Sequence, residues 1–197
     1  MAVILRAAER VAVPWKNGGG LTREVAVWPP ESNFENFDWR VSLAEIHAAG
    51  PFSSFPGVDR QMAVLAGRLT LAIEGGESLA LSPDSPPLGF AGETRIVVQA
   101  THGMVTDLNV MTRRGRFSAR LQRCVVRAAQ QLALAADMTV LIALSELTLR
   151  LQATEAMLSA FDALLCRGTA QCDVVPSAGG AGQGVFLYIA EISALSP

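Results

Sequence analysis

Gln61-Met62-Ala63-Val64-Leu65-Ala66-Gly67-Arg68-Leu69-Thr70-Leu71-Ala72-Ile73-Glu74-Gly75-Gly76 is the stretch that decides the fold. It holds two apolar-rich runs of strand length, Gln61 to Ala66 and Arg68 to Ile73, separated by Gly67. Gly75-Gly76 then supplies the positive φ of a tight turn, and the chain returns through Ser78 to Leu81 as a hairpin. The same pattern extends in both directions. Upstream, Leu21 to Trp28 sets Thr22, Glu24 and Ala26 against Leu21, Arg23, Val25 and Val27. Trp39 to Ile46 sets Arg40, Ser42 and Ala44 against Trp39, Val41 and Leu43. A period of two residues is the signature of a strand. Downstream, the Pro- and Gly-rich Ser82 to Gly92 reads as a loop, and Thr94 to Ala100 and Met104 to Met111 read as strands joined by a turn at His102-Gly103. Short strands with turn signals between them predict an all-β sandwich or small barrel.

Arg113 to Arg116 marks a seam. Beyond it, strands are expected near Ala119 to Val126, Thr139 to Leu144, Thr148 to Gln152, Ala163 to Cys166 and Gly184 to Ile192. The Ala-rich run Arg127 to Ala136 predicts a short helix, and Val175 to Gln183, ending in PSAGGAGQ, predicts a loop. The second half repeats the β-rich plan without repeating the sequence, and it is poorer in unusual polar residues.

Composition narrows the function classes. The chain has 197 residues, half of them hydrophobic and 17% charged, which excludes a disordered protein. A net charge of −2 gives no global field toward nucleic acid or an anionic membrane. The three cysteines, Cys124, Cys166 and Cys172, form no CxxC and leave one unpaired in any disulfide scheme, so free thiols in a reducing compartment are expected. Met1 to Arg10 lacks the apolar run of a signal peptide, and Asp137 and Glu146 break the apolar stretch from Leu132 to Leu149, so a cytoplasmic protein is expected.

Three constellations carry chemistry. The first is Trp15-Lys16-Asn17-Gly18-Gly19-Gly20, which contains the only lysine of the chain. Its glycines allow a close approach to the main chain, yet neither dinucleotide nor P-loop spacing is present, and a tight turn into the strand at Leu21 is an equal reading. The second comes from strand phase: Thr22 with Glu24, Arg40 with Ser42, and Asp107 with Asn109 each share a face, opposite a greasier one. Such a polar face is either the solvent side or a wet pocket in a barrel mouth. The third is Gly50 to Arg60, where Phe52 and Phe55 serve as packing anchors or as a pocket wall, and Arg60 meets an anion or pairs with Asp59. His47 and His102 have no metal-ligand spacing, so no metal is expected. Arg113, Arg114, Arg116, Arg120, Arg123 and Arg127 have only Phe117 among them, which fits a solvated seam or subunit contact better than nucleic-acid binding.

Trp15-Lys16-Asn17-Gly18-Gly19-Gly20-x-Thr22-x-Glu24, Phe37-x-Trp39-Arg40-x-Ser42, Gly50-Pro51-Phe52-Ser53-x-Phe55-Pro56-Gly57-x-x-Arg60 and Asp107-Leu108-Asn109-Val110-Met111-x-Arg113 together resemble the HutD/Ves family. They follow the family's order across residues 13 to 115, and the last 80 or so residues carry no such motif. The resemblance implies a bicupin, two cupin-like β-barrels in one chain without the usual metal-binding histidines. The first barrel would span residues 1–115 and the second 116–197. The family is associated with histidine utilisation in some bacteria and with a cold- and stress-inducible protein in others.

A pocket for a small acid follows from combining these readings. Lys16, Arg40 and Arg60 supply positive charge, Asn17, Thr22, Ser42, Ser53 and Asn109 orient the ligand, and Trp15, Phe52 and Phe55 form its walls. Glu24 and Asp107 balance the cations. Urocanate and N-formylglutamate are the acids the resemblance suggests, in a sensing or regulatory role without a cofactor. The competing reading is a metal-independent isomerase or hydrolase with Glu24 or Asp107 as general base beside Lys16. A third is a homodimerising partner protein with a vestigial pocket, built on free sheet edges.

Overall fold

The computed structural model describes residues 1–151, 154–177 and 184–196. Among them, regular structure is strand throughout apart from one 3-10 turn at Ala7–Glu9. The chain divides into two compact units, one of Arg10–Ser118 with Leu195 and Ser196, the other of Met1–Glu9 with Ala119–Ala194.

The chain opens on β1 (Ala2–Leu5), which lies in the second of these units. A division at 115/116 would place it with the first. It sits elsewhere because its backbone pairs antiparallel with Ala163–Cys166, Ile4 opposite Leu164. The first unit then follows: β2 (Ala12–Pro14), β3 (Gly20–Trp28), β4 (Trp39–Ile46), β5 (Gly50–Pro51), β6 (Val58–Ile73), β7 (Ser78–Leu81), β8 (Leu88–Ala91) and β9 (Ile96–Arg113). These form one sheet in the order β2-β3-β4-β9-β6-β7, with β5 joined to β9 and β8 to β6. Its principal core gathers Ile46, Met62, Val64, Leu69, Leu71, Ile96 and Val105, with Trp15, Phe52 and Phe90 packed against them.

The second unit takes β10 (Phe117–Val126) from Ala119 onward and continues with β11 (Gln130–Leu134), β12 (Met138–Ala143), β13 (Leu147–Leu151), β14 (Thr154–Leu158), β15 (Ala163–Arg167), β16 (Ala170–Pro176) and β17 (Val185–Ala194). One sheet runs β1-β15-β12-β17-β10 and another β11-β16-β13-β14. A single core joins them, with Leu141, Leu164 and Leu187 from the first and Leu149, Cys172 and Val174 from the second.

Several sequence expectations are corrected. The two strands expected on either side of Gly67 are one strand, β6, and the two on either side of His102-Gly103 are one strand, β9. The two strands pair along their length, and register shifts between Val64 and Arg68 absorb Gly67 at φ 72°. The glycines mark irregularities within a ladder rather than chain reversals. The Ser82 to Gly92 loop contains β8, which hydrogen-bonds to the start of β6. The expected helix at Arg127 to Ala136 is instead β11, paired residue by residue with β16. Its Leu134 is buried in the core, and tertiary pairing overrides the helix preference of alanine. Val175 and Pro176 belong to β16, and the rest of the expected loop through Gln183 lies, after Ser177, outside the described residues. No helix among the described residues is long and apolar enough to cross a membrane.

Candidate functional site

Register in the first unit settles where the three polar pairs go. Glu24 lies opposite Ser42, Ser42 opposite Asn109, and Asn109 opposite Met62. Arg40 lies opposite Met111, which lies opposite Arg60; Thr22 is opposite Ala44, which is opposite Asp107. Directly paired residues share a sheet face, so four strands contribute to one polar surface. That surface is not the solvent side. Ser42 and Asp107 are each 2% exposed, Asn109 5%, Arg60 7% and Arg40 8%. The opposite face, with Val41, Leu43, Leu108 and Val110, is buried as well.

The side chains form two linked groups. Arg40 donates from Nε to Glu24 Oε2 at 2.8 Å and from Nη1 to Ser42 Oγ at 3.3 Å. Arg60 donates from Nη2 to Asn109 Oδ1 at 2.9 Å and from Nη1 to the Ser53 carbonyl at 3.2 Å. Asn109 in turn donates from Nδ2 to Asp107 Oδ2 at 2.8 Å. The amide is thus a relay: its oxygen faces the guanidinium and its nitrogen the carboxylate, which keeps the two charges apart. Asp107 Oδ1 and Arg60 Nε are buried without a hydrogen-bond partner among the described residues.

Burial dominates the electrostatics. It pushes the Asp107 carboxyl up to about 6, against the pull of the Asn109 hydrogen bond and the Arg60 charge. It also pulls Arg60 down to about 10, with Asp107 opposing and Arg40 reinforcing the shift. The Glu24 side chain, which pairs with Arg40, is 42% exposed and screened by water. The positive charge of the arginines is therefore only partly balanced within the buried layer.

Aromatic rings cover both guanidiniums. Phe90, Phe52 and Phe55 lie 4.9, 5.5 and 5.5 Å from that of Arg60, and Phe34 lies 4.7 Å from that of Arg40. Phe34 and Phe55 touch each other, their centroids 5.8 Å apart. The same two rings, with Glu35, Ser54, Pro56, Val58 and Arg113, line a cavity of about 320 Å³.

The Trp15 to Gly20 run behaves differently from its reading as a ligand wall. Trp15 donates from Nε1 to Thr22 Oγ1 at 2.8 Å, and Asn17 Oδ1 accepts the Gly19 N–H at 3.0 Å, closing a local turn. Gly20 is required by contact: a Cβ there would sit 2.2 Å from the Glu45 carbonyl oxygen and 3.2 Å from the Trp15 ring. Lys16 is exposed in the turn before β3 and, among the described residues, forms no ion pair with Glu24 or Asp107. Ser53 is exposed and reaches Arg60 through its backbone carbonyl rather than its hydroxyl. Arg60 does not pair with Asp59, which lies on the other side of the strand and accepts from Arg114 at 2.7 Å.

Phe34 and Phe90 also belong to this region, and sequence reasoning does not single them out; Met111 and Arg113 belong to it too, and the sequence marks them only as motif residues and, for Arg113, as part of the basic seam. Phe34 lies in the irregular segment before β4, and Phe90 in a short strand that its Pro- and Gly-rich surroundings disguise as loop. Met111 does carry a signal, since its phase with Asp107 and Asn109 marks it as sharing their face. The arginines past the seam are dispersed among separate partners: Arg114 bridges Asp59 and Glu93, Arg116 meets Asp38, and Arg123 lies over Phe186.

The pattern defining the HutD family matches residues 7–182, most of the chain. The chain belongs to the HutD family. The uncharacterised 21.2 kDa protein in the hutC 3′ region of Pseudomonas putida is 37% identical over 120 residues, 60% of this chain and 62% of that one. Protein Ves of Citrobacter koseri is 37% identical over 110 residues, 55% of this chain and 56% of its own. The chain thus spans about three fifths of the length of the curated relatives it matches. The structure of HutD from Pseudomonas fluorescens superposes with a TM-score of 0.80 at 28% identity, covering 100% of both chains. A cupin 2 conserved barrel domain protein from Leptotrichia buccalis superposes with a TM-score of 0.56 at 9% identity over 89% of each, a likeness of fold alone. This HutD-family chain is therefore all-β with a cupin fold, as its strand pattern and motifs predict.

Proposed function

We propose that this HutD-family protein binds a small carboxylic acid on the buried face that carries Arg40 and Arg60. The observation that supports this reading most strongly is the pair of guanidiniums, each under 10% exposed, in one cross-strand row with only Met111 between them. Buried cations are costly unless something offsets them. Here Glu24, the ion-pair partner of Arg40, is 42% exposed, and Asn109 stands between Asp107 and Arg60. An anionic group at the arginines completes the balance, and Arg60 Nε offers it a donor that has no partner among the described residues.

Ser42, Asn109, Glu24 and Asp107 hold the arginines in place, and Phe34, Phe52, Phe55 and Phe90 exclude water from them. Trp15, Asn17, Thr22 and Gly20 build the adjoining turn, while Lys16 steers the acid from outside. Candidate acids are urocanate and N-formylglutamate, in keeping with a relative from the hutC 3′ region, and the role is one of sensing or regulation. The test is a thermal-shift titration of both acids against wild type and Arg40→Ala. At a ligand concentration near 100 times Kd, binding stabilises the fold by about 2.7 kcal/mol, and the shift disappears in the variant. No shift with either acid, or a full shift in Arg40→Ala, removes the proposal.

A further inference from the structure

Two walls of the cavity beside the arginine row are the rings that cover the arginines. Phe34 touches Arg40, Phe55 touches Arg60, and both rings line the cavity of about 320 Å³ with Pro56 and Val58. Arg40 and Arg60 do not themselves line the cavity, but its two rings adjoin both, so an acid that reaches the arginines along Phe34 and Phe55 leaves the rest of its body in this space. The space has a chemistry of its own. Phe34 and Phe55 meet at an interplanar angle of 38°, which leaves ring faces and edges for a flat partner. Arg113, the cation among the lining residues, already donates from Nη2 to the carbonyls of Glu35 at 3.0 Å and Phe37 at 3.2 Å and is stacked over Phe37 at 5.2 Å. Glu35 lines the same cavity with a negative charge. A second carboxylate entering here would shed water against phenylalanine and proline, and it would face a glutamate with the neighbouring arginine committed.

We infer that the Phe34–Phe55 cavity is a subsite for the flat, unsaturated body of the ligand, so that the protein selects planar monocarboxylates over aliphatic dicarboxylates. This rests on the arginine row being the carboxylate site, and it goes further by choosing between the acid classes. Phe34 becomes the specificity-determining residue. It is 55% exposed, so its removal leaves the core intact.

Isothermal titration with three probes tests this: trans-cinnamate, planar with one carboxylate; hydrocinnamate, of similar size but saturated; and glutarate, aliphatic with two carboxylates. Cinnamate binds the wild type about tenfold tighter than glutarate, the weight of one good aromatic contact, with hydrocinnamate between them. Phe34→Ala weakens cinnamate more than glutarate and so removes most of that preference, whereas Arg40→Ala weakens all three alike and leaves the preference standing. Glutarate binding as tightly as cinnamate, or an undiminished preference in Phe34→Ala, overturns the inference while leaving the arginine site standing. Failure of all three probes to bind overturns the arginine site and the inference together.

Discussion

Asp107 holds a carboxyl group where water does not reach it, and the cost of that position is readable as a pH dependence. Its native value of about 6 lies above the 3.8 that the same carboxyl takes in the unfolded, solvated chain. Between those two values the native state binds the proton and the unfolded state does not. Stability from this group is therefore fully present below about pH 4 and is lost as pH rises through about 6. A rise from 3.8 to about 6 corresponds to about 3 kcal/mol. Asp107→Asn keeps the shape and an acceptor for Asn109 but cannot titrate. Urea denaturation from pH 4 to 7.5 should show wild type gaining on the variant as pH falls, by about 2 to 3 kcal/mol over the range. A difference that stays constant with pH means that Asp107 does not titrate there. The pairing of Asp107 with Asn109 is visible in the sequence as two polar residues of one strand phase. That the amide stands between the carboxylate and Arg60 is not visible, because it depends on the offset between β6 and β9.

At the level of elements, strand phase carries most of the information. Alternation in Leu21 to Glu24, Trp39 to Ile46 and Met104 to Met111 groups Glu24, Arg40, Ser42, Asp107 and Asn109 by face and pairing makes those faces one, but a bulge after Glu24 turns Ala26 to the face of Val41 and Val27 to that of Arg40. What phase cannot report is how a strand deals with a glycine. At Gly67 and Gly103, positive φ is compatible with a turn or with a kink inside a long ladder, and only the partner strand decides. β11 shows the same limit from the other side: the alanines of Arg127 to Ala136 favour a helix locally, and pairing of β11 with β16 decides otherwise. Gly67 supplies a test of the kink. A Cβ there would lie 2.5 Å from the Met104 carbonyl oxygen, on a backbone at φ 72°. Gly75, at φ 76°, has nothing within 4 Å of that position. Gly67→Ala should therefore cost about 3 kcal/mol or more, clash adding to strain, whereas Gly75→Ala should cost about 1. Equal denaturation midpoints for the two variants would show that the β6–β9 ladder yields at the bulge.

On the scale of the whole molecule, the chain does not follow its own order. Its first strand completes the unit made by its last eighty or so residues, a connection no local pattern announces because β1 and β15 are separated by most of the sequence. The anchor is chemical as well as topological. Burial alone would raise the Asp162 carboxyl, yet hydrogen bonds from the Ala7 and Ser159 N–H groups and from Arg6 hold it below the usual carboxylate range. Ala7 N donates to Oδ1 at 2.7 Å, and Arg6 Nη1 and Ser159 N donate to Oδ2 at 2.8 and 3.1 Å. Arg6 also donates to the Met157 carbonyl at 2.8 Å. Removing residues 1–9 therefore does three things at once: it strips a pairing edge from β15, leaves the buried Asp162 carboxylate without two of its three donors, and uncovers Leu164 and Cys166. Breaking such a network costs about 3 kcal/mol. The amides that β15 exchanges with β12, such as those around Val140 and Leu165, should then lose hydrogen-exchange protection by about a hundredfold. Asp162→Ala, which keeps β1 but removes its anchor, should fall between wild type and the truncation. If the truncated chain protects those amides as well as the intact one does, β1 is an ornament on the sheet rather than its fifth strand.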